Sequence, residues 1–151
     1  MKSRKPSSDS FFTVGYQSHN IRTLLAVLTE NKINVLVDVR QNPVSRKSGF
    51  SKRHLERRVP SYGIDYLHFP CLGTPPKIRK FYTTTGDARE TLQRYQQHLR
   101  TRRSCLQSLI RIASSKQICL MCLEADHNSC HRSVIAQKLM EMTGWQAIHL
   151  T

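Results

Sequence analysis

The run Val35-Leu-Val-Asp-Val39 shows no alternation of polar and apolar residues. A strand that is apolar on both faces has to be covered on both faces, which is the situation of a parallel sheet lying between layers of helix. Comparable runs recur along the chain at Phe11-Phe-Thr-Val-Gly15, Ile64-Asp-Tyr-Leu-His-Phe69, Gln117 to Leu123 and Trp145 to Leu150. Between them the apolar residues fall at helical spacing: Ile21, Leu24, Leu25 and Leu28, then Leu92, Tyr95 and Leu99, then Leu106, Leu109, Ile110 and Ala113, and finally Val134, Ile135, Leu139 and Met142. Boundary signals agree with this division. Ser18 or Asn20 caps the first helix, Ser51 opens a basic helix closed by Pro60 and Gly63, and Asp87-Ala-Arg-Glu90 has the form of a capping box. A break is expected near Arg102-Arg103-Ser104, and Gly144 occupies a C-terminal cap position. The pattern predicts an α/β fold: a single three-layer domain with a mostly parallel sheet of about five strands and helices on both faces. Ligands of such a sheet bind at the C-terminal ends of its strands.

A chain of 151 residues suffices for one such core. Residues 1–10 carry basic residues without an apolar stretch behind them and read as a disordered basic tail, not a signal peptide, leaving 11–151 as the domain. No segment has the length and apolarity of a membrane span. Five cysteines, an odd number spread through strands and helices, fit a reducing compartment better than a disulfide framework, so a cytoplasmic address is expected. Cys71, Cys105, His54, His98 and His149 read as structural or surface residues. Lys+Arg 24 against Asp+Glu 10 gives a net charge of +14, which attracts polyanions and makes a nucleotide or nucleic acid the expected partner. Arg40, Arg46, Lys47, Lys52, Arg53, Arg57 and Arg58 are opposed within their stretch by Glu56 alone, and Lys77, Arg79, Lys80, Arg94, Arg100, Arg102 and Arg103 form a second basic region. Such runs read either as solvated helix faces or as a nucleic-acid footprint.

Chemistry-bearing residues gather at the expected strand ends. Asp38 and Arg40 share one face of the second strand, either as an ion pair or as a base beside an anion clamp. Ser45 and Arg46 follow in the loop before the next helix, giving an anion-binding rim of Arg40, Ser45 and Arg46. His68, at the end of the third strand, is a candidate general acid. The stretch Cys122-Leu-Glu-Ala-Asp-His-Asn-Ser-Cys-His-Arg132 concentrates thiols, acids, imidazoles and a guanidinium. Cys119 and Cys122 point to opposite faces of a strand and do not share a metal; Cys119 is core packing. Cys122, Cys130 and His131, with His127, form a candidate zinc or iron site. Cys130, close to a helix start and to Arg132, has the setting of an activated thiol. Neither Cys122 nor Cys130 has the arginine of a cysteine phosphatase six positions on, where Asn128 and Ala136 stand. Asp38, Glu124 and Asp126 are candidate bases.

The blocks Thr13-Val-Gly-Tyr-Gln-Ser-His19, Asp38-Val-Arg-Gln-Asn-Pro-Val-Ser-Arg46 through Phe50-Ser51, Tyr66-Leu-His-Phe-Pro-Cys-Leu-Gly-Thr-Pro75 and Cys122 to Arg132 occur in the order of the domain-of-unknown-function 488 family, which the chain resembles from about Thr13 to its last strand. By position, Asp38, Arg40, Pro43, Ser45, Arg46, His68, Gly73, Cys122, Glu124, Cys130, His131 and Arg132 fall on that family's pattern. Cys71 stands where the family commonly has Glu. The resemblance implies a compact α/β domain with a shared polar pocket and brings no assigned reaction.

Three functional readings follow. The first is an enzyme, hydrolase or transferase, on a phosphorylated nucleotide or nucleic acid: Asp38, Glu124, Cys122, Cys130 and His68 are its catalytic candidates, and Arg40, Ser45, Arg46, His131 and Arg132 its anion-binding ones. The second is a non-catalytic nucleic-acid-binding module. The third is a metal or redox sensor built on Cys122, Cys130 and His131. No glycine-rich phosphate loop, dinucleotide fingerprint or ordered Ser-His-Asp set is present in the sequence.

Overall fold

A computed structural model describes residues 9–124, 126 and 130–151. Among these the strands are β1 (Ser10–Gly15), β2 (Val35–Asp38), β3 (Asp65–His68), β4 (Ile118–Cys122) and β5 (Gln146–Leu150). They form one sheet in the order β3-β2-β4-β1-β5. Every neighbouring pair is parallel. The two central strands are the most apolar: β2 and β4 are buried along their whole length. Edge strands β3 and β5 are half-buried to exposed, as strands with one free side are. Asp9, within the expected tail, already accepts a hydrogen bond from Gln146 N at 2.8 Å, and Ser10 belongs to β1.

Six helices connect the strands among the described residues: α1 (Ile21–Glu30), α2 (Lys52–Arg58), α3 (Pro76–Thr85), α4 (Ala88–Leu99), α5 (Arg103–Ala113) and α6 (His131–Thr143). Asn20 caps α1 by accepting from Thr23 N while Thr23 Oγ1 accepts from Asn20 N, so the cap is closed from both sides. Asp87 caps α4 through Glu90 N at 3.0 Å. Ser51 stands at the start of α2 as expected, but its hydroxyl is spent on Ser45 and caps nothing. The break between α4 and α5 is a 3-10 turn at Arg100–Arg102.

Alternation along the strands sends side chains to two cores. Phe11, Val35, Val37, Val39, Ile118, Leu120 and Cys122 face Tyr95, Leu106, Leu109, Ile135 and Leu139 of α4, α5 and α6. Val14, Leu36, Cys119 and Met121 face Leu24, Leu25, Leu28 and Leu55 of α1 and α2. Each fully buried aliphatic side chain contributes about 1.5–3 kcal/mol relative to exposure. The helix α3 was not foreseen in the sequence, for a physical reason: none of its residues is buried, so it carries no apolar stripe. Pro76 in its first turn and Gly86 at φ +68° beyond its end delimit it.

The cysteines differ from the scattered set expected. Cys71 and Cys105 are disulfide-linked, with Cα atoms 6.6 Å apart, and tie the turn after β3 to α5. Cys122 and Cys130 are joined as a second disulfide, with Cα atoms 7.6 Å apart, so the set expected to lack a disulfide framework carries two bridges among the described residues. Cys119 is free and buried on the other face of the sheet, where burial pushes its thiol pKa up.

Candidate functional site

The strand order fixes where a crevice opens. β4 lies between β2 and β1, and its following helix, α6, packs on the opposite face from α1 and α2, which follow β1 and β2. Chains leaving adjacent strand ends in opposite directions part there, which is the binding position of open parallel sheets. Two hollows of about 200 and 230 Å³ occupy this position and share Thr74, Arg79, Glu124 and His131, so they form one cleft. One half adds Tyr16, Arg40, Gln41, Asn42 and Cys122; the other adds Tyr82, Thr91 and Tyr95. A larger groove of about 540 Å³ between α4 and α6 lies away from the strand ends and is lined by groups such as Gln93, Arg100 and Lys138, with no nucleophile beyond Ser133.

Arg40 enters the cleft as a fixed fork. Asp38, 0% exposed, accepts from Arg40 Nε at 2.8 Å, Arg40 Nη2 at 2.7 Å, Arg40 N at 3.1 Å and Tyr66 Oη at 2.5 Å. The remaining Arg40 Nη1 donates to Tyr16 Oη at 3.1 Å, and Tyr16 is stacked on Phe50 with ring centroids 4.5 Å apart. Burial works against the Arg40 charge, yet the hydrogen bonds and charge of Asp38 outweigh it and raise the guanidinium pKa. Tyr66 is raised by burial and by Asp38, so it stays a neutral donor. His68 Nε2 donates to the Arg40 carbonyl at 2.6 Å, and Phe69 N donates to the Asp38 carbonyl at 2.9 Å, which fixes the main chain on either side of the ion pair.

The turn after β4 supplies the opposite wall. Glu124 is half-buried, lines both halves of the cleft, and its Oε2 lies 3.7 Å from Cys122 Sγ. Cys130 is the N-cap of α6, its sulfur accepting from Arg132 N at 3.5 Å. The ligand atoms of Cys122, Glu124 and Cys130 all lie within 4.8 Å of one another. His131 Nε2 donates to the Val39 carbonyl at 3.0 Å, leaving Nδ1 as the lone-pair nitrogen, 3.7 Å from Cys130 Sγ. Burial, opposed by the Val39 hydrogen bond, lowers the His131 pKa, so the ring is neutral. Glu124 thus lies with the cysteine pair expected as metal ligands, and His131, expected as their third member, stands beside the three. His127 lies outside the described residues.

Several expected site residues serve the frame instead. Asp38 has both oxygens occupied and no exposure, a position for an anchor and not for a base. His68 is bound to backbone and lines neither half of the cleft. Ser45 Oγ accepts from Lys47 N at 3.1 Å and closes the turn of its own loop. Arg46 is exposed and outside the cleft. Arg132, 0% exposed, donates to Thr13 Oγ1 at 2.6 Å and to the Glu124 carbonyl at 2.9 Å, fastening the turn to β1 from beneath. Arg40, Cys122, Glu124 and His131 line the cleft, and Cys130 lies against it through its contact with His131.

Tyr16, Gln41, Asn42, Thr74 and Arg79 were not singled out as site residues. Arg79 is exposed, stands on α3 and makes no ion pair among the described residues. The available signal for Thr74 was the turn Leu72-Gly-Thr-Pro75. Gly73 is needed there because a Cβ on it would lie 2.3 Å from Gln41 N. Tyr95 Oη donates to the Leu72 carbonyl at 2.5 Å and holds the same turn from the helix layer.

Residues 20–139 match the model of the family described as domain of unknown function DUF488, and the chain belongs to that family. The match leaves β1 and β5 outside its limits. No curated protein and no solved structure matches the chain.

Proposed function

We propose that this member of the DUF488 family is an enzyme acting on a phosphorylated substrate, a nucleotide or the phosphate of a nucleic acid, bound in the cleft at the C-terminal ends of the strands. The observation that carries the reading is the meeting of a fixed arginine, Arg40, and a second arginine, Arg79, with the carboxylate of Glu124 and the sulfur of Cys122, which is a thiol in the reduced protein, in one hollow. Asp38 holds the Nε–Nη2 edge of Arg40, so an anion uses the remaining N–H groups of Nη1 and Nη2, and a guanidinium whose orientation is already set loses little entropy on binding. In this reading Arg40 and Arg79 hold the anion, Asn42, Thr74 and Tyr16 orient it, and the reactive groups are Glu124, Cys122 and Cys130. Asp38 and Tyr66 are positioning residues that act through Arg40. The basic surface, including the exposed Arg53, Arg57 and Arg58 of α2, concentrates polyanions near the opening.

The test is a screen of nucleoside mono-, di- and triphosphates and short oligonucleotides for released phosphate or altered nucleotide. Turnover that disappears in Glu124→Gln and falls at least roughly tenfold in Arg79→Ala supports the reading; one guanidinium contact to a reacting anion is worth about 1.5–3 kcal/mol. Turnover unchanged in both folded variants contradicts it.

A further inference from the structure

The geometry points to a divalent metal site of the zinc class, formed by Cys122 Sγ, Cys130 Sγ and the carboxylate of Glu124, with its remaining coordination position open to the cleft. The three donor groups come from different parts of one connection: Cys122 ends β4, Cys130 caps α6, and Glu124 lies between. Their ligand atoms lie within 4.8 Å of one another, near enough for small side-chain rotations to bring all three to one ion at zinc–sulfur bonds of about 2.3 Å and zinc–oxygen bonds of about 2.0–2.2 Å.

Cys122 and Cys130 are joined sulfur to sulfur, so the ion's site belongs to the reduced protein, in which the two thiols part. Their Cα atoms stand 7.6 Å apart, wider than the roughly 6.8 Å that a relaxed disulfide spans. The surroundings favour negative sulfur: Cys130 sits on the free amides that begin α6, with Arg132 N donating to it at 3.5 Å. Two soft donors and one hard donor suit zinc and exclude magnesium and calcium, which take oxygen ligands throughout. Three protein ligands with one open position is the arrangement of catalytic zinc, not of the closed structural kind. Arg132 fixes the Glu124 main chain from beneath, and His131, tied to the Val39 carbonyl, packs at the side of Cys130.

The use of the ion rests on the function proposed above, since the open position faces the hollow shared with Arg40 and Arg79; its binding does not. An ion there supplies a Lewis acid for a phosphoryl oxygen.

The experiment is elemental analysis of the full chain purified under reductant, followed by titration of the metal-free protein with Zn²⁺ and with Co²⁺ as a spectroscopic probe of sulfur ligation. One zinc per chain and an intense near-ultraviolet sulfur-to-cobalt band are expected. Both are lost in Cys122→Ser and Cys130→Ser and kept in Cys119→Ala, whose sulfur lies on the other face of the sheet. Glu124→Gln, at a half-buried position where the fold is not at stake, weakens zinc at least roughly tenfold, since loss even of an outer-shell partner costs about 10–100-fold. Folded, reduced wild-type protein without zinc affinity, unchanged affinity in Glu124→Gln, or a Cys122–Cys130 disulfide persisting under reductant overturns the site. Zinc bound without any binding of phosphorylated compounds overturns the proposed function alone; undiminished phosphate turnover in zinc-free protein overturns the catalytic use of the ion alone.

Discussion

Asp38 takes four hydrogen bonds with no exposed surface, and Arg40 is 8% exposed, so each charge depends on the other. Removing one member of a buried pair costs about 3–5 kcal/mol because the partner is left uncompensated. Asp38→Asn is therefore expected to lower stability by an amount of that order in denaturant unfolding and to weaken anion binding, although Asp38 does not face the cleft. The pairing itself was legible, because residues two apart in a strand share a face. Its role was not: the sequence carries no sign that Tyr66 from β3 takes the last lone pair of the carboxylate. His131 gives a prediction in pH. Burial holds its folded pKa below the ordinary 6.5, so below about pH 6.5 the unfolded chain binds a proton that the folded one refuses, and stability falls as pH falls. Above that value both states are neutral and the group contributes no slope. His131→Gln, which keeps a donor for the Val39 carbonyl, is expected to flatten the loss of Tm in acid; His19 and His98, also lowered by burial, leave part of the slope in place.

At the scale of elements, the strands and the four helices with apolar stripes, α1, α4, α5 and α6, were readable because burial writes a period into sequence; α2, which buries only Leu55, was readable from its boundary residues. The helix α3 was not, since it buries nothing, and with it Arg79 was passed over. Arg132 was misjudged for the converse reason. A guanidinium beside thiols and acids looks like an anion clamp until the fold shows it inside the protein, holding Thr13 and the Glu124 carbonyl. The turn at Gly73 links the two regions of the site, bringing the chain after β3 against Gln41 after β2. Its φ of −74° is open to any residue, so the constraint is space alone: a Cβ would lie 2.3 Å from Gln41 N. Gly73→Ala is expected to cost about 1–3 kcal/mol or more by overpacking. It should also weaken ligand binding by more than a destabilisation of equal size placed in the α1 layer, as a paired comparison with Leu28→Ala would measure.

At the scale of the whole molecule, the net charge of +14 and the position of the cleft make separate contributions. Charge acts at long range, is screened by salt and does not discriminate among polyanions, whereas the proposed site in the cleft would hold one anion at fixed distances. Oligonucleotide binding is expected to weaken steeply with salt, and Arg53→Ala with Arg57→Ala, both on α2, to reduce the slope of log K against log salt by about one for each phosphate contact removed. The parallel sheet and its crevice were implied by the alternation of runs. Which basic residues enter the crevice was not, because Arg40, Arg46 and Arg79 are alike in sequence and differ only in where the chain carries them. That difference gives the most direct measurement of the central claim: calorimetric titration of pyrophosphate, at moderate salt, into the wild type and into Arg40→Lys, Arg79→Ala and Arg46→Ala. A single site per chain, weakened at least roughly tenfold by the first two substitutions and little changed by the third, is the predicted result. Equal, modest losses in all three, or the largest loss in Arg46→Ala, would contradict the account.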